Sequence, residues 1–367
     1  MTRPAHFVTI FAAMKTQTKS LVVGSEGIAS PAVHEAARVL ASGGLVAFPT
    51  ETVYGIGANA DDPNAVARLR AVKGRPPDKP FTLHIADPAD LEKYVPGVTP
   101  LGRRFAGKYW PGPMTIVFGD TDEAVGVRLP AHDVARAFIR ACGVPVVAPS
   151  ANRAGEKPAS SAAEVLDVLD GEIDAVLDGG PAPLEQASTV VRVRRNGWEM
   201  LREGIITESR IQRDMKTNVL FICTGNSCRS PIAEALCRRL LARRYGVDEA
   251  GLAALGYEIA SAGTTTAGDG PASDGAAAAA TEAGLDISGH RSQPITVELL
   301  RKADRVYAMA ERHADAARGI CPRGASKIEL LDPNGGDIED PIGYPAERFT
   351  EVVRHMERCI EERVENL

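Results

Sequence analysis

Two short stretches combine residue types that can do chemistry. In "NVLFICTGNSCRSP", Cys223 and Arg229 form a Cys-x5-Arg pattern between an apolar run and Ser230-Pro231. If the run is a strand and a helix opens at Ser230, the loop Thr224, Gly225, Asn226, Ser227 and Cys228 turns successive N–H groups toward one point. Such a point binds phosphate, and a helix N-terminus favours a thiolate. Arg229 returns to grip two phosphoryl oxygens, and Ser230 reaches the sulfur. Asp340, fixed before Pro341, is a proton donor for a leaving group while the thiolate takes the phosphoryl group, after which water hydrolyses the phosphocysteine. No Gly-Lys-Ser/Thr ends the run, so this is not a Walker A loop.

The second stretch lies upstream. "FPTETVYGIGANA" places hydroxyls and glycines directly after an apolar run, where open α/β sheets present ligand sites, although Thr and Gly also suit ordinary turns. In "KGRPPDKPFTLHI", Lys73, Arg75 and Lys79 crowd a proline-stiffened loop, which suits either a phosphate clamp or a solvated basic loop. "WPGPMT" and "APSANRAG" add Thr115, Ser150 and Asn152 on Pro/Gly-shaped backbone.

These residues need elements to hold them. Ser30-Pro31 reads as an N-cap with Pro at the first helical position, Val33, Ala36, Ala37 and Leu40 recur at helical spacing, and Gly43-Gly44 stops the run before the strand "LVAFP". Helices over 64–72, 101–109 and 134–141 then alternate with strands at "FTLHIA", "MTIVF" and "VPVVAP", followed by "STVVRVR" and "WEMLREG". After "NVLFI" the alternation resumes with a helix after Pro231, a strand near "YEIASAG", an Ala-rich helix over 273–283, a strand at "RVYAM" and a long helix from Ala346. The pattern predicts two α/β domains. Residues 1–20 read as a tail, with Met14 an alternative start and residues 1–13 of open status. Residues 21–206 form the first domain, the polar stretch 207–215 a linker, and 216–367 the second domain.

Composition narrows the function classes. The 367-residue chain has 42 Lys and Arg against 48 Asp and Glu, a net charge of −6, and neither half is a polycation, so bulk electrostatic binding of nucleic acid is not indicated. No apolar run approaches the ~20 residues of a membrane helix, and no signal pattern opens the chain. Six scattered cysteines in a chain of this length suggest a reducing, cytoplasmic setting.

Residues 21–206 resemble the YrdC-like threonylcarbamoyl-adenylate synthases through "PTETVYG", the Lys73-x-Arg75 and Ser150-x-Asn152 pairs, "HI", "WPGPMT", "GVRLP" and "STVV". The resemblance implies a twisted mixed-sheet α/β domain that joins L-threonine, bicarbonate and ATP into threonylcarbamoyl-AMP and diphosphate for the N6-threonylcarbamoyladenosine of tRNA. It further implies threonine bound by Thr50, Thr52, His84, Arg128 and Ser188, and ATP, with Mg2+ on its phosphates, bound by Lys73, Arg75, Lys79, Thr115, Ser150, Asn152 and Arg202. No tightly held cofactor and no protein metal ligand set are expected, while a tRNA or a threonylcarbamoyl-transferase is a candidate partner. The carbamoyl-transferring hydrogenase-maturation proteins share the unit but add an acylphosphatase unit and paired-Cys zinc modules, which are missing here. An RNA-binding module without synthesis is the alternative, disfavoured by the near-neutral charge.

Residues 217–364 resemble the low-molecular-weight protein-tyrosine phosphatases, through "CTGNSCRSPIAEAL", "SAGTTTAGDGPAS", "DISGHRSQPIT" and "EDPIG". This implies a doubly wound parallel sheet, with Cys223 as nucleophile, Arg229 as phosphate-binding residue, Asp340 as general acid and a phosphorylated protein as substrate. Cys228 is then either a disulfide partner that shields Cys223 or a packed neighbour. Tyrosine-directed members carry aromatics just after the Asp-Pro, where this chain has Ile342-Gly343 with Tyr344 displaced. Arginine-directed members match the loop better but have Thr at Ser227, and the phosphoarginine reading is preferred. Arsenate-reducing relatives need two further cysteines seven apart, whereas Ala310 stands near the first position and Cys321 and Cys359 have no such spacing.

Overall fold

The computed structural model describes residues 17–121, 124–365 and 367. The chain divides into two compact units, residues up to 194 with 198–208, and residues 195–197 with 209–367.

The first unit is a ten-stranded mixed sheet of β1 (Lys19–Val22), β2 (Val46–Phe48), β3 (Gly55–Asn59), β4 (Leu83–His84), β5 (Met114–Phe118), β6 (Val125–Arg128), β7 (Val146–Val147), β8 (Ala175–Asp178), β9 (Thr189–Val193) and β10 (Trp198–Arg202). Its order is β1-β8-β2-β3-β7-β4-β6-β5-β9-β10, so neighbours in space are mostly distant in sequence. Parallel pairs such as β5 with β9 are mixed with antiparallel ones such as β2 with β3. Helices Pro31–Ala41 and Asp133–Cys142 cover one apolar cluster with Phe48 and Phe138, and Pro63–Lys73 and Ala162–Leu169 cover another with Tyr54 and Ile56. The Ser30-Pro31 cap acts as the sequence indicates, Ser30 accepting from Ala32 N with Pro31 at the first helical position; Gly74, at φ 63°, ends the helix that delivers Lys73.

The second unit has a four-stranded parallel sheet, β11 (Thr217–Cys223), β12 (Tyr257–Gly263), β13 (Arg305–Ala308) and β14 (Ile328–Leu330), in the order β12-β11-β13-β14. The chemistry-bearing cysteine ends the central strand β11, and helix Arg229–Tyr245 follows it.

Two boundaries differ from the sequence reading. The tail assigned to 1–20 ends earlier. Its residues 1–16 lie outside the described set, but Thr18 is buried with its hydroxyl donating to Ile173 O (2.9 Å), and Lys19 and Ser20 already belong to β1, paired with Ala175 and Val176. A four-residue edge strand whose partner lies about 156 positions away leaves no local trace. The linker assigned to 207–215 contains the helix Glu208–Asp214, which buries Ile211. One apolar anchor in seven residues gives no readable helical period. Among the described residues no helix is long and apolar enough to cross a membrane.

Candidate active sites

The first unit contains a cavity of about 1040 Å3. Ten of the twelve residues assigned to threonine and ATP line it: Thr50, Lys73, Arg75, Lys79, His84, Thr115, Arg128, Ser150, Ser188 and Arg202. Thr52 and Asn152 stand one bond behind, Thr52 Oγ1 accepting from Arg128 Nη2 (2.7 Å) and Asn152 Oδ1 accepting from Lys73 Nζ. With Arg192, six cations among the described residues face the cavity against one carboxylate, Asp78. Such a wall collects a polyanion.

The cations are not equivalent. Lys73 is only 6% exposed, and its ammonium donates to Ser150 O (2.7 Å), Asn152 O (2.7 Å) and the side chains of both residues, with Ser150 Oγ at 3.2 Å. Three N–H bonds shared among four oxygens make Lys73 the post on which the 150–152 loop is hung. Burial, with Arg75 and Arg202 nearby, brings its pKa down to about 8. Arg75 donates to Pro80 O (2.8 Å) and stacks on Phe81 at 5.3 Å, with Arg70 against the same ring at 5.0 Å, so the proline-rich loop is a folded platform. Arg202 reaches from β10 to Ser188 O (2.8 Å), and Ser188 Oγ lies 3.3 Å from Thr115 Oγ1.

At the "PTETVYG" end, Thr50 Oγ1 donates to Val53 O and accepts from Thr52 N (3.2 Å), closing the tight turn that follows β2. Arg128 pairs with Glu51 at 2.9 Å, and both side chains are 7% exposed. His84, buried against Phe48 and beside Arg128, has its pKa pushed down to about 3 and is neutral at pH 7. Glu51 was missed by the sequence reading. The signal was an acid between two threonines of a turn otherwise made of neutral side chains.

In the second unit the loop from Cys223 to Arg229 wraps toward the sulfur. Asn226 N donates to Cys223 Sγ (3.3 Å), and Cys223 Sγ lies 3.0 Å from Ser230 Oγ. Ser230 Oγ accepts from Asn226 Nδ2 (3.0 Å), which leaves its own hydrogen for the sulfur, the arrangement a thiolate needs. Asn226 holds the loop. It sits at φ 53°, a left-handed conformation Asn tolerates, and it is fully buried. Its Nδ2 also donates to Ser261 Oγ (2.9 Å), its Oδ1 accepts from Gln293 N (2.8 Å), and its carbonyl meets His290 Nε2 (2.6 Å). At Gly263, which ends β12, a Cβ would lie 2.7 Å from Thr224 O, so only glycine lets the strand pass this close.

The remaining predicted residues gather there as well. Arg229, 3% exposed, donates to Ile338 O (2.9 Å) and to Asp340 Oδ2, and Asp340 Oδ1 accepts from Ile342 N (3.3 Å). The loop carrying the acid is thus docked by the arginine. Ser227 O accepts from Ser273 N (2.8 Å). Cys228 is buried, and burial with Cys223 alongside pushes its thiol up to about 12. Ile342 and Tyr344 are both exposed, 59% and 58%. Gln293, His290 and Ser261 carry no sequence signal of their own beyond the matching stretches in which they lie. His313 was not read at all: its Nε2 lies 2.8 Å from Thr224 Oγ1, and burial pushes its pKa down to about 4.

Comparison with known proteins bears on both sites. Residues 38–204 match the Sua5/YciO/YrdC family model, described as telomere recombination, and residues 218–367 match the low molecular weight phosphotyrosine protein phosphatase model. A threonylcarbamoyl-AMP synthase of Bacillus subtilis is 37% identical over 193 residues, covering 50% of this chain and 56% of that protein. The chain spans about half the length of the curated relatives it matches. Among solved structures, a low molecular weight protein tyrosine phosphatase from T. tengcongensis is 35% identical, covering 41% of this chain and all of its own (TM-score 0.37). A YwlE arginine phosphatase from Geobacillus stearothermophilus is 31% identical, covering 41% of this chain and 92% of its own (TM-score 0.35). Both resemblances read from the sequence hold, and the chain carries a Sua5/YciO/YrdC-type unit over residues 38–204 followed by a low molecular weight phosphotyrosine phosphatase-type unit over residues 218–367.

Proposed function

We propose that the protein is a bifunctional enzyme, a threonylcarbamoyl-AMP synthase joined to a cysteine-dependent protein phosphatase. The observation that carries the first half is the cavity of about 1040 Å3, lined among the described residues by six cations and one carboxylate together with Thr50, His84 and Ser188. Bicarbonate and the threonine amine lose water to give a carbamate. A carbamate oxygen then attacks the α-phosphorus of ATP, the bond to the β-phosphate oxygen breaks, and diphosphate leaves. The protein's task is to bring anions together and neutralise the phosphates, which Lys73, Arg75, Lys79 and Arg202 suit, with Thr115, Ser150 and Asn152 as hydrogen-bonding groups. Neutral His84, Thr50, Thr52, Arg128 and Ser188 are assigned to threonine. Among the described residues Asp78 is the one lining carboxylate, and the magnesium ion is assigned to the ATP phosphates. Threonine-dependent diphosphate release from ATP, with and without bicarbonate, tests this half, and its absence rejects it. A tRNA or a threonylcarbamoyl-transferase would consume the product.

For the second half, Cys223 attacks the phosphorus of a phosphorylated side chain, Arg229 grips the transferring oxygens, Asp340 protonates the leaving atom, and water then releases phosphate. An incoming phosphoryl group takes over the one Arg229 bond now made to Asp340, which sets the acid beside the leaving group. The phosphate loop Thr224–Cys228 with Ser230 supplies the cradle. Substrate preference is assigned to phosphoarginine on Ile342: no aromatic wall follows Pro341, and Tyr344 is turned to solvent. Phosphate release from a phosphoarginine protein is expected to exceed that from a phosphotyrosine peptide, and the reverse ranking overturns the preference. A cytoplasmic setting accords with six free cysteines.

A further inference from the structure

Glu51 is a buried carboxylate with no assigned role, in the middle of the turn that ends the threonine side of the cavity. It is 5% exposed, and its Oε1 accepts from Arg128 Nη2 at 2.9 Å. The same Nη2 donates to Thr52 Oγ1 at 2.7 Å, and Thr52 Oγ1 lies 3.0 Å from Thr50 Oγ1. One guanidinium nitrogen is therefore shared between a carboxylate and a threonine hydroxyl from a single turn. Arg128 has its orientation set from behind while it still lines the cavity.

The pair is not arranged for stability. Glu51 Oε2 and Arg128 Nε are both buried without a hydrogen-bond partner, and unpaired atoms of buried charged groups are costly and rare. Two hydrophobic residues would fill the same space without that cost. Behind a predominantly cationic wall, a buried Glu51 also neutralises one arginine locally. That permits Arg128 to stand close to Arg202 and His84 without a ligand present, each of which shows the influence of its charge.

We infer that Glu51 is a positioning residue for the amino-acid substrate: through Nη2 it fixes the guanidinium of Arg128, and with it the Thr50–Thr52 turn, in the orientation that receives the substrate's carboxylate. The inference rests on the synthase reading above. Glu51 does not touch ATP and takes no part in the phosphoryl chemistry, so its removal acts on one substrate only.

Steady-state kinetics of the full chain provide the test, with L-threonine and ATP varied separately for the wild type, Glu51→Gln and Glu51→Asp. Glu51→Gln keeps an acceptor for Nη2 and the side-chain volume but removes the charge. Its KM for threonine is expected to rise at least tenfold, with the KM for ATP within about twofold and kcat within about threefold. Glu51→Asp, which keeps the charge on a shorter arm, is expected to recover part of the loss. A structural role would instead lower the active fraction and leave both KM values unchanged, and that result overturns the inference while the synthase reading stands. If Glu51→Gln does not fold, Glu51→Asp, which shortens the arm that meets Nη2, serves in its place, and its threonine KM is expected to stay above wild type. A threonine KM equal to wild type in Glu51→Asp then overturns the positioning role. Absence of threonine-dependent turnover in the wild type overturns the synthase reading and this inference with it.

Discussion

Lys73 offers a test in which activity and stability move in opposite directions with pH. Its pKa falls from 10.5 in a free chain to about 8 in the fold, a difference of about 2.5 units, or about 3 kcal/mol at ~1.4 kcal/mol per unit. Between pH 8 and 10.5 the unfolded chain still holds the proton that the folded chain has released, so stability rises with pH across that window by up to about 3 kcal/mol. Catalysis needs the ammonium, both to clamp phosphate and to hold the Ser150 and Asn152 oxygens. The kcat/KM for ATP, which reports the free enzyme, is therefore expected to fall about tenfold per unit above pH 8. Lys73→Met should abolish the alkaline limb and lower kcat/KM about 100- to 1000-fold, the ~2.7–4 kcal/mol of a preorganised contact. It should destabilise the unit by only about 1–3 kcal/mol, because loss of the charged hydrogen bonds is partly offset by relief of a buried charge. The assays are pH-resolved diphosphate release and denaturant unfolding followed through the ATP-sensitive transition. A kcat/KM that stays flat to pH 10, or that falls in step with stability, refutes the reasoning.

Three further outcomes follow from the geometry. Asp340→Asn should lower phosphatase kcat about 100- to 10,000-fold by removing the proton donor, and leave diphosphate release by the first unit unchanged. Gly263→Ala, whose Cβ would lie 2.7 Å from Thr224 O and 3.0 Å from Asn226 N, should cut phosphatase kcat/KM at least tenfold by displacing the loop; activity within twofold of wild type would show that the strand can retreat. His84, neutral in the fold with its pKa about 3 against an ordinary 6.5, makes the first unit lose stability as the pH drops from 6.5 toward 3, at up to ~1.4 kcal/mol per unit, and His84→Gln should flatten that slope in urea titrations.

What was legible in the sequence was what is encoded locally. The helix Pro31–Ala41 announces itself by cap, proline and period, and the strand-loop-helix around Cys223 by an apolar run ending at Ser230-Pro231. Elements defined by distant partners were not legible. Strand β3 is "GIGAN", with two glycines and no β-branched alternation, and it exists because it pairs with β2 and β7. The strands read at "FTLHIA" and "VPVVAP" shrink to two residues each, Leu83–His84 and Val146–Val147, with Thr82 and Ala148 at their ends lining the cavity. The same division holds at the sites. Lys73, Arg75, Cys223 and Arg229 stand out by type and spacing, whereas Glu51 and His313 act through contacts 77 and 89 positions away. Lys73 also turned out to be more than a clamp. It is a buried structural post, which spacing could not reveal.

The most direct test of the central claim uses the full-length Cys223→Ser chain, in which the second site lacks its nucleophile. It is incubated with ATP, magnesium, L-threonine and bicarbonate, and the products are read by mass spectrometry. The expected result is threonylcarbamoyl-AMP and diphosphate in equal amounts, with neither formed when threonine or bicarbonate is omitted. Diphosphate or phosphate released without regard to threonine, or no adenylate at all, would contradict it.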